Sequence, residues 1–438
     1  MNAFYFTGKM IKKLYKLYLQ HPIITTDSRI CPKNSIFFAL KGENFNGNVF
    51  ALSALAKGCS YAIVDEKEFA TDNRFILVDN TLDTLHKLAE HHRKQLTIPV
   101  IGITGTNGKT TTKELIAAVL SKKYNVLYTQ ENFNNHIGVP LTVLRITKKH
   151  DIAIIEMGAN HPGEIKMLTE IARPNFGIIT SIGKAHLEGF GSLEGVLATK
   201  GELYDFLRKS NGKIFRNENV ECLKPISAGL EAITYGINIE SASVCGKIIS
   251  ESPFVTLSWC EQQETEAQTV TTHFIGAYNA SNMLAAVTVG RYFGVTSADI
   301  VSALHDYIPQ NNRSQLVKTS KNTLIIDAYN ANPTSMEAAL NSFRNMEIPH
   351  KVVILGDMLE LGLESAKEHQ AIVEILKKNS FDDIFLVGKC FAEVSAGYKS
   401  FTDINQLSLF LEIHPLINKS ILIKGSHGIG LQKIIDKL

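Results

Sequence analysis

The run Pro99-Val100-Ile101-Gly102-Ile103-Thr104-Gly105-Thr106-Asn107-Gly108-Lys109-Thr110-Thr111 constrains this chain more than any other stretch. Its first six residues are apolar and β-branched, which predicts a buried parallel strand. The Gly105-Thr106-Asn107-Gly108 turn lets backbone N–H groups approach an anion without obstruction from a Cβ. A helix starting near Thr110 points its positive end at the same anion. Strand, glycine turn and helix in this order predict a triphosphate cradle for ATP or GTP. Lys109 reaches the β- and γ-phosphates, and the Thr110 hydroxyl is positioned to ligate Mg²⁺. One position departs from a standard Walker A loop, whose first glycine is here Ile103. An ordinary glycine turn does not account for Gly-Lys-Thr in this setting.

A chain of 438 residues exceeds one comfortable core, so two or three domains are expected. A net charge of +2 gives no electrostatic case for nucleic acid. Lys12, Lys13 and Lys16 read as the solvated face of a helix. The first thirty or so residues lack the uninterrupted apolar core of a signal peptide, and no apolar run reaches the ~18 residues of a membrane span. Cys31, Cys59, Cys222, Cys245, Cys260 and Cys390 are scattered without Cys-x-x-Cys spacing. That pattern argues for reduced thiols in the cytoplasm and against a zinc site.

Patterning predicts three α/β domains. Residues 1–97 alternate short strands with helices and read as a small α/β domain. Residues 98–313 open on the phosphate loop and alternate strands such as Ile152–Met157 and Phe176–Ser181 with helices, the mark of a parallel sheet. Within them, residues 240–275 are polar and β-prone and read as an antiparallel patch. Residues 314–438 carry strands at Leu324–Asp327, Lys351–Asp357, Ile384–Gly388 and Ile421–Gly425, with polar residues at their C-terminal ends. That is a Rossmann-like domain with its ligand edge.

Glu156 ends a buried strand beside the phosphate loop, where a Mg²⁺ ligand belongs. His186, just past another strand, is balanced between a structural and a ligand role. Lys200, read from spacing alone, is a solvated helix lysine. Asn279 and Asn282 share one helical face and either contact a base or ribose or cap the helix. Arg313 stands at the junction of the second and third domains, within reach of a phosphate. Asp327-Ala-Tyr-Asn-Ala-Asn-Pro333 gathers more polar side chains than a turn requires.

Taken in order, several segments resemble the Mur ligases, ATP-dependent amide ligases of bacterial cell-wall peptide assembly. They are Gly102-Ile-Thr-Gly-Thr-Asn-Gly-Lys-Thr-Thr111, Asn132-Phe-Asn-Asn-His-Ile-Gly-Val-Pro-Leu141, Glu156-Met-Gly-Ala-Asn160 and Ala185-His-Leu-Glu-Gly-Phe-Gly-Ser192. Asp327-Ala-Tyr-Asn-Ala-Asn-Pro333, Gly356-Asp-Met-Leu-Glu-Leu-Gly362 and Lys424-Gly-Ser426 follow. Near the start, Asp27-Ser28-Arg29 and Phe38-Ala-Leu-Lys41-Gly-Glu43 resemble the segment that binds a UDP-sugar.

The resemblance implies a three-domain fold: a UDP-binding domain, a central phosphate-loop domain and a Rossmann-like domain. It implies that Lys109, Lys200 and His186 are catalytic, with Lys200 carbamylated, and that Thr110, Glu156 and His186 hold Mg²⁺. Gly105, Thr106, Asn107, Gly108, Lys109, Thr110, Thr111, Asn282, Arg313 and Asp327 are its implied nucleotide contacts. Ser28, Arg29, Lys41, Asn134, Asn135, Tyr329, Asn330, Asn332 and Lys424 are its implied substrate contacts. Asn-Asn-x-Ile-Gly-Val-Pro and Tyr-Asn-Ala-Asn-Pro favour, within the family, the joining of D-alanyl-D-alanine to UDP-N-acetylmuramoyl-tripeptide; a monomer is expected. A sibling amino-acid-adding or folate-type ligase, or a phosphate-loop kinase or nucleotide switch, is the alternative. Two departures stand out: Tyr278 replaces a common His, and Asn46-Gly47-Asn48 replaces Asp-Gly-His.

Overall fold

Short apolar runs separated by helices bury both faces of their strands, as a parallel sheet covered by helices demands. The computed structural model describes residues 2–262, 264, 266–310 and 312–438. Among them three main sheets form in chain order. The first holds Ile23–Thr25, Ser35–Phe38, Cys59–Val64 and Phe75–Leu77, all parallel. Lys12, Lys13 and Lys16 do lie exposed on the helix Asn2–Gln20, whose Leu14 and Tyr18 are buried.

The first region seals one face of its sheet itself, around Phe37, Leu55, Ala62 and Val64, but not the other. Leu14, Tyr18, Leu85 and Leu88 share one apolar cluster with Val139, Val143, Ile165 and Leu168 of the middle region. Polar groups reinforce this seam. The His92 ring lies 2.8 Å from the Ile146 carbonyl, and Arg93 donates to the Ala172 carbonyl and to Asn175 Oδ1, each at 3.0 Å. Burial pushes the Arg93 guanidinium down to about 10. Removing it would orphan several buried acceptors, at about 1–3 kcal/mol each. The first two regions are therefore bound tightly.

The middle sheet runs Val126–Tyr128, Ile152–Glu156, Val100–Thr104, Phe176–Ile179, Lys213–Asn217, Glu231–Ile237 and Val244–Ser250, all parallel. Thr256–Glu261 and Gln268–Thr271 then extend it antiparallel. The stretch expected as an antiparallel patch is one, and Val244–Ser250 joins it to the main sheet by pairing parallel to Glu231–Ile237. The helix Ala280–Tyr292 follows a 3₁₀ turn over Ala277–Asn279.

The third sheet orders Gln315–Lys318, Thr323–Asp327, Ser420–Lys424, Lys351–Gly356, Asp383–Val387 and Lys399–Phe401. Only the first pair is antiparallel. The edge strands Gln315–Lys318 and Lys399–Phe401 were not foreseen, being short and rich in polar residues. The helix Pro333–Asn345 opens at the proline, with Asn332 and Ser335 forming a reciprocal capping box. Both Asp327 and Lys424 end adjacent parallel strands, so the register brings them side by side. Among the described residues no helix is long and apolar enough to cross a membrane.

Candidate active site

The predicted strand and helix are Val100–Thr104 and Lys109–Leu120, and the turn between them has a conformation only glycine tolerates. Gly105 adopts φ 143°, and a Cβ there would lie 2.1 Å from Thr180 Oγ1. Gly108 adopts φ 79°, with Asn282 Oδ1 2.5 Å from where a Cβ would stand. The exit of the strand Phe176–Ile179 braces the loop. Thr106 N–H donates to the Ser181 carbonyl at 2.9 Å, Asn107 N–H to Ser181 Oγ at 2.9 Å, and Thr180 Oγ1 to the Asn107 carbonyl at 2.6 Å. These bonds fix the loop's shape, and they occupy the Thr106 and Asn107 amides, so those two reach a phosphate only by leaving Ser181.

Lys109 curls over this loop and donates to the Gly105 and Thr106 carbonyls at 2.7 and 3.0 Å. Burial pushes its ammonium down to about 8, against the pull of Glu156. Glu156 is 1% exposed at the end of the strand Ile152–Glu156. Its Oε1 accepts from Thr110 Oγ1 at 3.1 Å and from Asn134 Nδ2 at 2.9 Å, while Oε2 is buried without a hydrogen-bond partner. A hydroxyl and a carboxylate oxygen side by side, with one oxygen unspent, fit a hard divalent cation.

These groups open on a cavity of about 720 Å³, the size of a small-molecule site. Thr106 to Thr111, Asn134, Asn135, Glu156, His186, Asn282, Arg313, Asp327, Tyr329, Asn330, Asn332 and Lys424 all line it. Two sheets therefore build one cavity, and an amide pair bridges them. Asn332 Nδ2 donates to Asn107 Oδ1 at 2.8 Å, and Asn107 Nδ2 donates back at 3.3 Å. Lys424 Nζ meets Asp327 Oδ2 at 2.5 Å, and the Arg313 guanidinium stacks 3.6 Å above the Tyr329 ring.

Several side chains hold other duties too. Asn282 accepts from Thr112 Oγ1 at 3.1 Å and donates to Asn279 Oδ1 at 3.1 Å, tying its helix to the phosphate-loop helix. Asn135 Oδ1 accepts from the N–H groups of Ile137 and Gly138 at 3.0 and 2.9 Å, capping the helix Gly138–Leu144. His186 takes a left-handed φ of 49° and lies 2.6 Å from Glu360 Oε2. Tyr278, the departure from His, places its hydroxyl 2.9 Å from Ser314 Oγ at the junction with the third sheet.

Lys200 overturns its spacing-based reading as a solvated lysine. It is 2% exposed inside the helix Leu193–Lys209, donates to the Ala159 carbonyl at 3.2 Å, and faces the Phe190 ring at 4.9 Å. Burial, with Lys109 adding repulsion, pushes its ammonium down to about 7. The helix packs this face against the helix Glu164–Ala172, which lone-residue spacing could not reveal.

The expected sugar-binding residues Ser28, Arg29 and Lys41 do not line the cavity. Arg29 pairs with Asp27 at 2.7 Å, and the Ser28 carbonyl accepts from Lys57 Nζ at 2.9 Å. Lys41 pairs with Asp65 and Glu66 at 2.9 and 2.7 Å, with Asn46 and Asn48 bonded to the same acids. Lys41, Asn46, Asn48, Asp65 and Glu66 thus form one polar cluster, while Ser28 and Arg29 pair within their own neighbourhood. All six cysteines are free. Asp357, His369 and Cys390 also lie close together, with the Asp357 carboxylate and His369 Nε2 turned to backbone N–H groups. Asp357 accepts from the N–H groups of Cys390 and Phe391, both at 2.9 Å, and His369 Nε2 accepts from Met358 N–H at 3.0 Å.

Comparisons with known proteins place the chain in a family. The Mur ligase middle domain matches residues 103–290, and the Mur ligase, glutamate ligase domain matches residues 312–426. UDP-N-acetylmuramoyl-tripeptide–D-alanyl-D-alanine ligase of Bacillus subtilis is 34% identical over 95% of this chain and 92% of its own. The Escherichia coli enzyme of that name is 33% identical over 95% and 93%. The crystal structure of MurF from Acinetobacter baumannii superposes with a TM-score of 0.85 at 31% identity, over 95% of this chain and 92% of its own. The fold also matches MurF from Thermotoga maritima in complex with ADP, with a TM-score of 0.84 at 24% identity over 96% and 97%. The chain belongs to the Mur ligase family.

Proposed function

We propose that this enzyme joins D-alanyl-D-alanine to UDP-N-acetylmuramoyl-tripeptide at the expense of ATP, through an acyl phosphate. The observation that carries this reading is the single cavity shared by the phosphate loop and the Asp327–Lys424 edge of the third sheet. Similarity along 95% of the chain to enzymes named for this reaction supports the choice of substrates. The division of labour follows the three regions, 1–97 for the uridine end, 98–313 for nucleotide and 314–438 for the dipeptide.

The tripeptide carboxylate attacks the γ-phosphorus of ATP, ADP leaves, and the dipeptide amine then displaces phosphate from the acyl group. Both reactants of the first step are anions, so positive charge and aligned donors are the physical requirement. Residues Gly105 to Thr111 supply amides and hydroxyls to the triphosphate, and Lys109 leaves its carbonyl partners for the β- and γ-oxygens. Asn282, Arg313 and Asp327 hold the rest of the nucleotide. Thr110, Glu156 and His186 would hold Mg²⁺, which supplies charge neutralisation between the two anions. Asn134 and Asn135 face the tripeptide, while Tyr329, Asn330, Asn332 and Lys424 face the dipeptide. The neutral amine favoured at Lys200 above about pH 7 suits carbamylation by carbon dioxide, which would convert it to an anionic carbamate. The third region, bridged to the loop through Asn332, shields the acyl phosphate from water. Free thiols throughout support a cytoplasmic enzyme.

Phosphate release tests the reading. It should require ATP, a UDP-muramoyl tripeptide and D-alanyl-D-alanine together. Equal release with another amino acid, or a stable phosphorylated product without any amine, would transfer the enzyme to a sibling ligase or a kinase.

A further inference from the structure

The phosphate-loop helix carries a second lysine that the mechanism above does not use. Lys113 follows Lys109 by four residues, on a helix whose Leu115, Ile116, Val119 and Leu120 are fully buried. It is buried with them, at 0% exposure, and its ammonium has no hydrogen-bond partner. Its charged neighbours are Glu114 Oε1 at 3.1 Å and Glu156 Oε2 at 3.7 Å, with the Tyr128 ring 5.7 Å away. Glu156 Oε2 is itself the buried oxygen without a partner. Two unsatisfied, oppositely charged atoms thus face each other from behind the expected cation ligand. A buried ammonium with unspent donors is costly to a fold, and packing alone gives no reason to keep it.

We propose that Lys113 is a positioning residue that holds Glu156 Oε2 and cancels its charge in the nucleotide-free enzyme. This rests on the reading of Glu156 as a cation ligand. Glu156 then offers a lone divalent cation little net attraction, and the site holds the cation only when a triphosphate adds its own negative charge. Glu114 does not offset this, because it reaches solvent, where its charge is screened. The metal therefore enters with nucleotide and leaves with it. Lys109, hydrogen-bonded to its loop carbonyls, stays free to follow the phosphates.

The test titrates Mn²⁺ into full-length, nucleotide-free protein and reads free Mn²⁺ by electron paramagnetic resonance. Lys113→Met should tighten Mn²⁺ binding about tenfold or more, because it removes a positive charge that screening by water does not reach. Lys113→Gln, which keeps a donor without the charge, should tighten it likewise and carries the test if the Met variant fails to fold. Adding Glu156→Gln to either variant should abolish the gain. Folded Lys113 variants with parental Mn²⁺ affinity, or a gain that survives Glu156→Gln, would overturn the proposal. Glu156→Gln alone, measured with a non-hydrolysable ATP analogue, separates the two readings. If it leaves Mn²⁺ binding to that complex unchanged, the assignment of Glu156 fails; if it weakens it while the Lys113 variants match the parent, only the role of Lys113 fails.

Discussion

His186 Nδ1 lies 2.6 Å from Glu360 Oε2, although the two residues belong to different sheets. Both backbones are left-handed there, with φ of 49° and 64°. Such conformations cost about 1 kcal/mol or more each outside glycine, so the docking of the two loops sustains them. The His186 side chain holds Glu360 well below the usual carboxylate range. The third region thus orients a residue expected to hold the metal, in the way an outer carboxylate orients a metal-bound imidazole.

Glu360→Gln keeps the shape and removes the charge. It should lower kcat by about tenfold, with little change in KM for the tripeptide, whose uridine end is proposed to bind the first region. The steady-state split between kcat and KM checks this, and a parental kcat would reduce the pair to a surface contact.

The ammonium of Lys109, held at about 8, is partly neutral at pH 8.5 in the empty site. Phosphate oxygens raise its pKa, so nucleotide binding at that pH should draw in part of a proton. At pH 6.5 the lysine is already charged and adds no uptake. Calorimetry in two buffers of different ionisation enthalpy measures the proton count. Lys109→Met should remove the uptake at pH 8.5 and weaken turnover by ~10² or more. Equal uptake in parent and variant would contradict the assignment.

The phosphate loop was legible because its chemistry is local: strand, glycine turn and helix are contiguous from Pro99 to Leu120. Strands such as Ile152–Glu156 and Lys351–Gly356 were legible for a similar reason, since burial on both faces leaves a continuous apolar run. Lys200 and Lys113 were not. Each is a single cation on a helix, and only packing between elements distant in sequence decides whether such a side chain meets water. A weak signal existed for Lys113, whose helical neighbours Thr110, Ile116 and Ala117 are all on the buried face. The Asn107–Asn332 bridge joins residues 225 positions apart, beyond any periodicity. The ion pairs of Lys41 with Asp65 and Glu66 were likewise not legible, because those acids stand well along the chain.

Lys200, depressed to about 7, makes two pH predictions with one sign. Its folded pKa lies below the unfolded value near ~10.4, so between about pH 7 and 10 the unfolded chain binds more protons and stability rises with pH. Below about pH 7 the parent must bury a charged lysine, and Lys200→Met should gain most relative to it there. Denaturant unfolding at pH 6 and pH 9 checks the difference. Carbamylation needs the neutral amine, so incorporation of ¹³C-bicarbonate should grow as pH rises through 7 and vanish in Lys200→Ala. A short carboxylate should partly restore turnover to that variant. Full activity of Lys200→Ala without additives would leave the lysine as packing alone.

The junction between the second and third sheets is built to move. Arg313 sits between Asn312 and Ser314, which adopt φ of 57° and 49°, and neither is glycine. This strain is balanced by polar contacts: Ser314 N–H to Asp327 Oδ1 at 3.2 Å, Tyr278 to Ser314, Asn107 to Asn332, and Arg313 over Tyr329. These polar contacts are few and part-buried, whereas an extended apolar seam fixes the first region to the second. Opening should therefore separate the third region while the first two move as one body. Nucleotide phosphates add an anion within reach of Arg313 and should shift the population toward the closed arrangement. Small-angle scattering should show a more compact particle with a non-hydrolysable ATP analogue plus UDP-muramoyl tripeptide than without ligands. Arg313→Ala should weaken that compaction and lower turnover more than it alters tripeptide binding. A variant that compacts normally and turns over at the parental rate would leave Arg313 as a linker residue and place the closing force on Asn332.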